Sequence, residues 1–412
     1  MGDGRGAVTE LDPTWLGAAY RRALYDDCIP FWFPRCIDEE YGGFLHCRDR
    51  TGVLVDDDKS VWAQGRMAWM LATLHNEGES RPEHLAWATQ GLEFLEKRCT
   101  AADGRLYFQV TRDGRPLRMR RYAYSEAFAA IAFAAHARAT GSGRSAGRSR
   151  DLFDRFVKWN FTPGLAPPKF TDARPAIGLA PRIITIATAQ ELQRNLGADG
   201  ETTSWIDRCV DEIERLFVKP DLQCVMESVG SDGEIHDHFD GRLLNPGHAL
   251  EGAWFILAEA QARDDSRLAK LGVRMLDWTW KRGWDHEQGG IFSFRDVYGR
   301  PVQECGHDMK LWWPHAEAMI ATLFAWKLTG APRFAEYHRK VFDWSFRRFG
   351  DPVHGEWFGY LHRDGRVSTP LKGNLWKSFF HLPRAFHVCQ KICAELQAGG
   401  SFAAPPFAEA AA

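Results

Sequence analysis

Two kinds of hydrophobic pattern alternate along most of this chain. In the first, short segments alternate apolar and polar residues and end in a glycine-containing turn, which is typical of β-hairpins. The copies are spaced by roughly 65 residues, except for one gap of about twice that length. We therefore predict a degenerate sixth copy near Pro163. The five clear copies begin at Asp38, Ala102, Asp221, Asp285 and Asp351.

In the second pattern, apolar residues recur at helical spacing between these hairpins. A very apolar segment follows each hairpin, and a segment with a single apolar stripe follows it in turn. Six helices buried on two sides and enclosed by six half-exposed helices form an (α/α)6 barrel. We therefore predict an all-α fold with short β-hairpins at the active-site end, and an open solenoid of helix pairs is the alternative. The predicted inner helices begin at Ser60, Tyr124, Ala180, Gly247, Pro314 and His381.

The barrel accounts for most of the chain as one catalytic domain, which we place at residues 13–397. Residues 1–12 and 398–412 are predicted to be disordered, because the last segment is rich in alanine, glycine and proline and lacks an apolar period. The run from Gly141 to Ser149 is predicted to be an exposed helix connection. It follows no predicted strand and lacks the spacing of a nucleotide-binding loop.

Charge and cysteine content narrow the class of partner. The 52 Lys and Arg residues nearly balance 54 Asp and Glu residues, and no basic cluster follows a helix face. Nucleic acid and anionic membranes are therefore not expected partners, whereas a neutral small molecule is. Nine scattered cysteines without a C-x-x-C pair, no apolar leader and no run of eighteen apolar residues predict a cytoplasmic protein without disulfides or a membrane segment.

Polar residues of the predicted inner helices fall in or near their first turns, so they should meet at one end of the barrel. Three of the six helices place a histidine there, which indicates an acid–base site. A single histidine at a helix start is more often structural, because neutral imidazole can cap free N–H groups. The convergence of several favours function. The residues are Gln64, Arg66, Arg121, Tyr124, Ser125, Glu126, Arg182, Asn245, His248, Glu251, Lys310, Trp312, His315, Glu317, Lys377, His381 and Arg384.

A metal site is the first alternative for such a cluster. The run from His236 to Asp240 contains ligand-type residues, but it falls in a predicted loop where polar side chains are commonly solvated. His315 and Glu317 lack the i,i+4 spacing of a helical zinc motif, and no cysteine joins them. We therefore expect no metal. The chain also lacks the G-x-S-x-G elbow of a serine hydrolase.

Five segments resemble the N-acylglucosamine 2-epimerase family, whose animal members are also called renin-binding proteins. The segments read VWAQGRMAWM, NPGHALEGAWF, MKLWWPHAEAMIA, GEWFGYL and KSFFHLPR, and they occur in this order between Val61 and Arg384. The resemblance spans roughly Trp15 to Leu396. It implies an (α/α)6 barrel that interconverts N-acetyl-D-glucosamine and N-acetyl-D-mannosamine. It also implies a homodimer that responds to ATP as an activator.

The resemblance places the family's catalytic histidines at His248 and His381, its barrel arginine at Arg66 and its carboxylate at Glu317. Inversion at C2 requires the ring to open, a proton to leave one face and another to return on the opposite face. Two imidazoles with pKa values near 6.5 suit this exchange, and Arg66 would stabilise the enediolate oxygen. Glu251 is expected to orient His248. His315 and Glu317 are expected to bind the sugar or assist ring opening, and Gln64, Tyr124, Asn245, Trp312, Lys377 and Arg384 to support the site.

Other functions remain open at this point. An aldose–ketose isomerase or a 2-epimerase of unacylated sugars, such as mannose, glucose or cellobiose, could use the same scaffold. A glycoside hydrolase would need a pair of carboxylates flanking the bond and no histidines. A protease-binding protein, as the family's other name suggests, is the alternative from a different class.

Overall fold

A computed structural model describes residues 11–399, in which helices pack in two concentric rings. The inner ring consists of α3, α5, α7, α9, α11 and α13, and the remaining helices surround it, which confirms the predicted (α/α)6 barrel. Short π-helical turns join α1 to α2 and extend α8. The helices are α1 (Pro13–Arg22), α2 (Ile29–Trp32), α3 (Val61–Glu77), α4 (Pro82–Arg98), α5 (Tyr124–Thr140), α6 (Gly143–Phe161), α7 (Ala180–Leu196), α8 (Gly200–Glu212), α9 (Pro246–Arg263), α10 (Ser266–Gly283), α11 (Trp312–Thr329), α12 (Pro332–Phe349) and α13 (His381–Gln397).

Burial follows the two hydrophobic patterns. Helix α5 buries nearly every residue because it packs against α3 and α7 in the ring and against α6 outside it, whereas α12 buries one stripe. Gly65 allows the close approach of α3 and α5, because a Cβ atom there would lie 2.8 Å from the backbone carbon of Phe128. This approach brings the next residue, Arg66, to the barrel interior.

Short antiparallel strands lie at the end of the barrel that carries the inner-helix N-termini. The pairs are β1–β2, β3–β4–β5, β6–β9, β7–β8, β10–β11 and β12–β13, and four of these connections join one repeat to the next. The strands are β1 (Cys47–Arg48), β2 (Leu54–Asp56), β3 (Lys59–Ser60), β4 (Gln109–Val110), β5 (Pro116–Arg118), β6 (Ile177–Gly178), β7 (Val218–Lys219), β8 (Cys224–Val225), β9 (Ser228–Val229), β10 (Leu243–Leu244), β11 (Arg295–Asp296), β12 (Lys310–Leu311) and β13 (Tyr360–Leu361).

A cluster of a buried Asp, a buried Lys and a partly exposed Arg recurs three times among these hairpins. The Asp begins a hairpin, the Lys precedes an inner helix, and the Arg comes from the tip of the following hairpin. In the last cluster, Arg50 of the first repeat donates to Asp351 of the last repeat at 2.7 and 2.9 Å. This pair joins the two ends of the repeat array, so the ring is closed and the solenoid alternative is wrong. The clusters are Asp38–Lys59–Arg112, Asp285–Lys310–Arg363 and Asp351–Lys372–Arg50.

Two local predictions were wrong. The segment near Pro163 forms no hairpin of its own, because residues 162–176 are turns and bends containing four prolines that cannot donate strand hydrogen bonds. The run from Gly141 to Ser149 is mostly helical, since α6 begins at Gly143. Ser142 caps this helix, and Ser149 donates to the carbonyl oxygen of Ala130 at 2.8 Å, so the serines dock α6 on α5.

The predicted limits of the domain, residues 13 and 397, remain a prediction. Helix α1 begins at Pro13, directly after Asp12, whose carboxylate accepts from the backbone of Thr14, and α13 ends at Gln397. The predicted disorder of the terminal segments falls largely on residues 1–10 and 400–412, which lie outside the described residues. None of the helices described between 11 and 399 is long and apolar enough to cross a membrane. The nine cysteines form no disulfides.

Candidate active site

A cavity of about 1200 Å³ opens at the end of the barrel that carries the inner-helix N-termini. Its size exceeds the roughly 300–1,000 Å³ that is usual for a small-molecule site. Aromatic side chains form part of the cavity wall, and their flat faces suit a ring-shaped ligand. They include Trp62, Tyr124, Trp254, Trp313 and Trp376.

His248 lies in the first turn of α9, with its side chain 27% exposed to the cavity. Asn245 caps this helix, because its side-chain oxygen accepts from the backbone N–H of His248 at 3.2 Å. The Nδ1 atom of His248 lies 2.9 and 3.0 Å from the two carboxylate oxygens of Glu227. Since a carboxylate accepts, the proton sits on Nδ1, and Nε2 is left to act on a ligand.

His381 begins α13 and has an equivalent carboxylate partner. Its Nδ1 atom lies 2.7 Å from Oε1 of Glu317, which is fully buried. The other oxygen of Glu317 accepts from the indole N–H of Trp254 at 2.7 Å. The Nε2 atom of His381 is thereby also left for a ligand. Trp313 on α11 lies between the two imidazoles, with ring centroids 5.4 Å from His248 and 5.8 Å from His381.

The two histidines differ in proton affinity. Burial lowers the pKa of His248, but the charge and hydrogen bond of Glu227 outweigh this effect, so its pKa lies above the ordinary value of 6.5. Burial and the nearby guanidinium groups of Arg384 and Arg66 hold the pKa of His381 well below that value. When the pair holds a single titrating proton, that proton therefore resides mainly on His248.

Arg66 points into the cavity without a carboxylate partner among residues 11–399. Its guanidinium carbon lies 4.0 Å from the ring centroid of Phe128 and 4.8 Å from that of Phe380. Burial lowers the pKa of Arg66 to about 9, which still leaves it charged at neutral pH. An unpaired cation of this kind is suited to stabilise negative charge that develops on a ligand.

Arg384 joins the two carboxylates of the site. Its Nη2 atom lies 2.9 Å from Glu251 and 2.5 Å from Glu317. Glu251, Glu317 and His381 offer ligand atoms within 4.8 Å of one another, a spacing that could suit a metal ion. The guanidinium of Arg384 lies against both carboxylates and already supplies the positive charge there.

The structure does not bring every predicted residue to the cavity. Gln64 forms two hydrogen bonds with the backbone of Phe44, so it fastens the first hairpin. His315 accepts from the backbone N–H of Ile291 at 2.8 Å and bonds to the carbonyl oxygen of Leu311, and burial lowers its pKa to about 3. Its expected role in sugar binding or ring opening therefore has no support in this geometry.

Lys377 is also away from the cavity wall. It is buried and donates to Glu356 at 2.7 Å, so it is engaged in a structural ion pair. Trp312 and Tyr124 do line the cavity, as expected. Trp312 packs edge-on against the His381 ring, with centroids 6.3 Å apart.

Glu227 is the functional residue that the sequence patterns missed. We expected Glu251 to orient His248, but Glu251 pairs with Arg384, and Glu227 holds the imidazole instead. Glu227 is 21 residues before His248 and lies between β8 and β9. The only sequence signal is a carboxylate within a hairpin, which normally indicates a solvated turn.

Glu227→Gln should shift the pH profile of kcat/KM. A bell-shaped profile is expected, whose acid limb reports protonation of His381 and whose alkaline limb reports proton loss from His248. Removing the carboxylate charge lowers the pKa of His248, so the alkaline limb should move to lower pH by about one unit. Glu259→Gln, which removes a buried carboxylate near the other end of α9, is the control that should keep the wild-type profile. An alkaline limb that stays in place in Glu227→Gln would contradict this assignment.

Comparison with known proteins identifies the family and the fold. The family model described as N-acylglucosamine 2-epimerase matches residues 42–162 and 185–385. The N-acylglucosamine 2-epimerase of Bos taurus is 37% identical over 378 residues, which cover 89% of each chain. The structure of cellobiose 2-epimerase from Bacillus thermoamylovorans superposes with a TM-score of 0.79 at 18% identity, covering 92% of this chain and 99% of that one. A D-mannose isomerase structure superposes with a TM-score of 0.76 at 19% identity, covering 92% and 97%.

The fold and the similarity to curated epimerases therefore define a barrel enzyme of the isomerase class that acts on sugars. The length of the family match and the identity to curated relatives are specific enough to go further. The chain belongs to the N-acylglucosamine 2-epimerase family.

Proposed function

We propose that this protein interconverts N-acetyl-D-glucosamine and N-acetyl-D-mannosamine by moving the proton at C2. The observation that carries the proposal is the pair His248 and His381. Both histidines line one cavity, each has its Nδ1 held by a carboxylate, and they come from helices on either side of α11. The similarity to curated N-acylglucosamine 2-epimerases supports the acylated substrate.

The chemistry follows from the acidity of the C2 proton. In the open-chain sugar, C2 lies next to the aldehyde, so loss of its proton forms a planar enediolate. One imidazole Nε2 takes the proton, and the other returns a proton to the opposite face of C2. The charge of Arg66 would stabilise the enediolate oxygen, because that charge is greatest in the transition state.

The opposite pKa shifts of the two histidines favour the state in which His248 is protonated and His381 is neutral. His381 is neutral and can act as the base, while protonated His248 acts as the acid for the epimer whose C2 proton faces His381. The opposite epimer requires the reverse arrangement. The two forms have the same number of protons, so one pH range serves both directions.

The test is to incubate the protein with N-acetylglucosamine in heavy water and follow C2 by NMR. We expect N-acetylmannosamine to appear with deuterium at C2. An aldose–ketose isomerase is the rival, because it needs one base to carry a proton between C2 and C1. Ketose formation from mannose or glucose, with N-acetylglucosamine unchanged, would contradict the epimerase proposal.

Three further properties remain predictions that rest on resemblance to the family or on sequence composition. They are activation by ATP, a homodimer and a cytoplasmic location. The NMR assay with and without ATP tests the first. Sedimentation equilibrium tests the second, because a dimer has twice the mass of the 46.8 kDa chain.

A further inference from the structure

The cavity extends well beyond the catalytic pair. On α3 it is lined from Trp62, in the first turn, to Glu77, the last residue of the helix. On α9 it is lined from His248 to Ala262. A helix of this length spans about 25 Å at 1.5 Å per residue, so the cavity follows the barrel axis from the mouth towards the opposite end.

One face of α13 carries ionisable side chains along this cavity. Steps of three or four residues keep them within about one third of the helix circumference, with His381 and His387 at its two edges. By contrast, α5 contributes Tyr124, Phe128 and Ile131 to the cavity. The residues of the α13 stripe are His381, Arg384, His387, Lys391 and Glu395.

His387 is the one member of this stripe, apart from His381, with an imidazole, a group that can both accept and donate a proton. It is 4% exposed, and its Nε2 atom is buried without a hydrogen-bond partner among the described residues. Glu77 is 3.9 Å from this nitrogen, and it is bonded to Lys391 and Arg138 at 2.5 Å. Nε2 is enclosed by protein, so His387 meets the cavity through the rest of its side chain.

Two-base epimerisation changes where the protons are on the protein. In each turnover the base takes one proton from C2 and the acid returns one, so the total is unchanged but the two histidines exchange states. Before another turnover in the same direction, the first imidazolium must lose its proton to water. The other imidazole must then take one proton from water.

We propose that His387 relays protons between His381 and water in the part of the cavity farther from the mouth. This relay resets the catalytic pair after each turnover. His387 lies six residues beyond His381 on the same helix, about 9 Å along the axis. The gap can be bridged by water, since each molecule needs about 30 Å³ and the cavity exceeds the size of a usual small-molecule site. The Glu77 carboxylate would stabilise the imidazolium while it holds the proton. This inference rests on the two-base reaction proposed above.

The test is the variant His387→Gln, assayed with N-acetylglucosamine as substrate. Resetting follows product release, so it limits kcat but does not enter kcat/KM. We expect kcat to fall about tenfold while kcat/KM stays within about twofold of wild type, because a slow step outside the chemistry limits only the maximal rate. Added imidazole should restore kcat by carrying the proton in place of the missing side chain.

Val388→Gln is the matched control, because it places the same side chain one residue away in the same cavity. Its kcat and kcat/KM should equal those of the wild type. His387→Asn replaces the glutamine variant if circular dichroism shows that the latter is unfolded. An unchanged kcat, or an equal loss of kcat and kcat/KM, would overturn the relay. Absence of turnover by the wild type would instead contradict the proposed function.

Discussion

His248→Asn and His381→Asn should each reduce kcat for epimerisation of N-acetylglucosamine by about 10²–10⁴-fold, the usual contribution of a positioned general acid or base. Asparagine keeps a polar side chain of similar size, but it cannot exchange a proton near neutral pH. Because each histidine serves one face of C2, neither can replace the other. The measurement is the rate of N-acetylmannosamine formation, with circular dichroism to verify the fold.

A partial reaction separates the two roles. A variant that keeps one base should still exchange the C2 proton of a single epimer with deuterium from the solvent, although it forms no product. One variant should exchange the C2 proton of N-acetylglucosamine only, and the other that of N-acetylmannosamine only. His354→Asn, in an exposed turn, is the control that should retain full activity. Substantial epimerisation by either catalytic variant would show that the two-base assignment is wrong.

Arg66→Met should reduce kcat by about 10²–10³-fold with a much smaller change in KM, as is typical when a donor that acts in the transition state is removed. The reason is the unpaired guanidinium at the cavity wall. Its charge is not neutralised by an ion pair, so it is available for the enediolate oxygen. Methionine can keep an apolar contact with Phe128, and it removes the charge together with the N–H donors of the guanidinium.

Arg66→Lys separates the contribution of the positive charge to kcat from that of the planar guanidinium group. Lysine retains the positive charge but lacks the planar guanidinium that stacks on the aromatic rings, so it should recover part of the lost kcat. Arg118→Met removes an exposed arginine that also contacts an aromatic ring, and it should leave both constants unchanged. If Arg66→Met raised KM and kept kcat, Arg66 would bind the substrate and the transition state equally well. It would then not stabilise the transition state selectively.

The periodic part of the fold could be predicted from the sequence because periodicity is a local property. Apolar residues at helical spacing identify the inner helices, and glycine turns identify the hairpins. The same rules failed where local signals conflict with packing. The Gly141 to Ser149 run looks like a loop, yet buried contacts of Ser145 and Ser149 hold most of it in α6.

The candidate site could be predicted only in part. His248, His381, Arg66, Glu251 and Arg384 do meet at the cavity. Glu317 is buried behind the cavity wall and bonds to Arg384. Gln64, His315 and Lys377 also lie near helix starts, but their side chains face the hairpins. Sequence position determines which turn of a helix a residue occupies. It does not determine whether the polar group meets the cavity or a neighbouring backbone.

The sequence by itself therefore determined the alternation of inner and outer helices, the end at which polar residues collect, and the family resemblance. Only the tertiary structure decided which carboxylate holds each histidine. Glu227 reaches His248 from a separate hairpin, and Glu317 reaches His381 from a neighbouring helix. Such pairs depend on distances between segments far apart in the chain, and no local pattern records those distances. The opposite pKa shifts of the two histidines follow from these contacts, so they too belong to the fold.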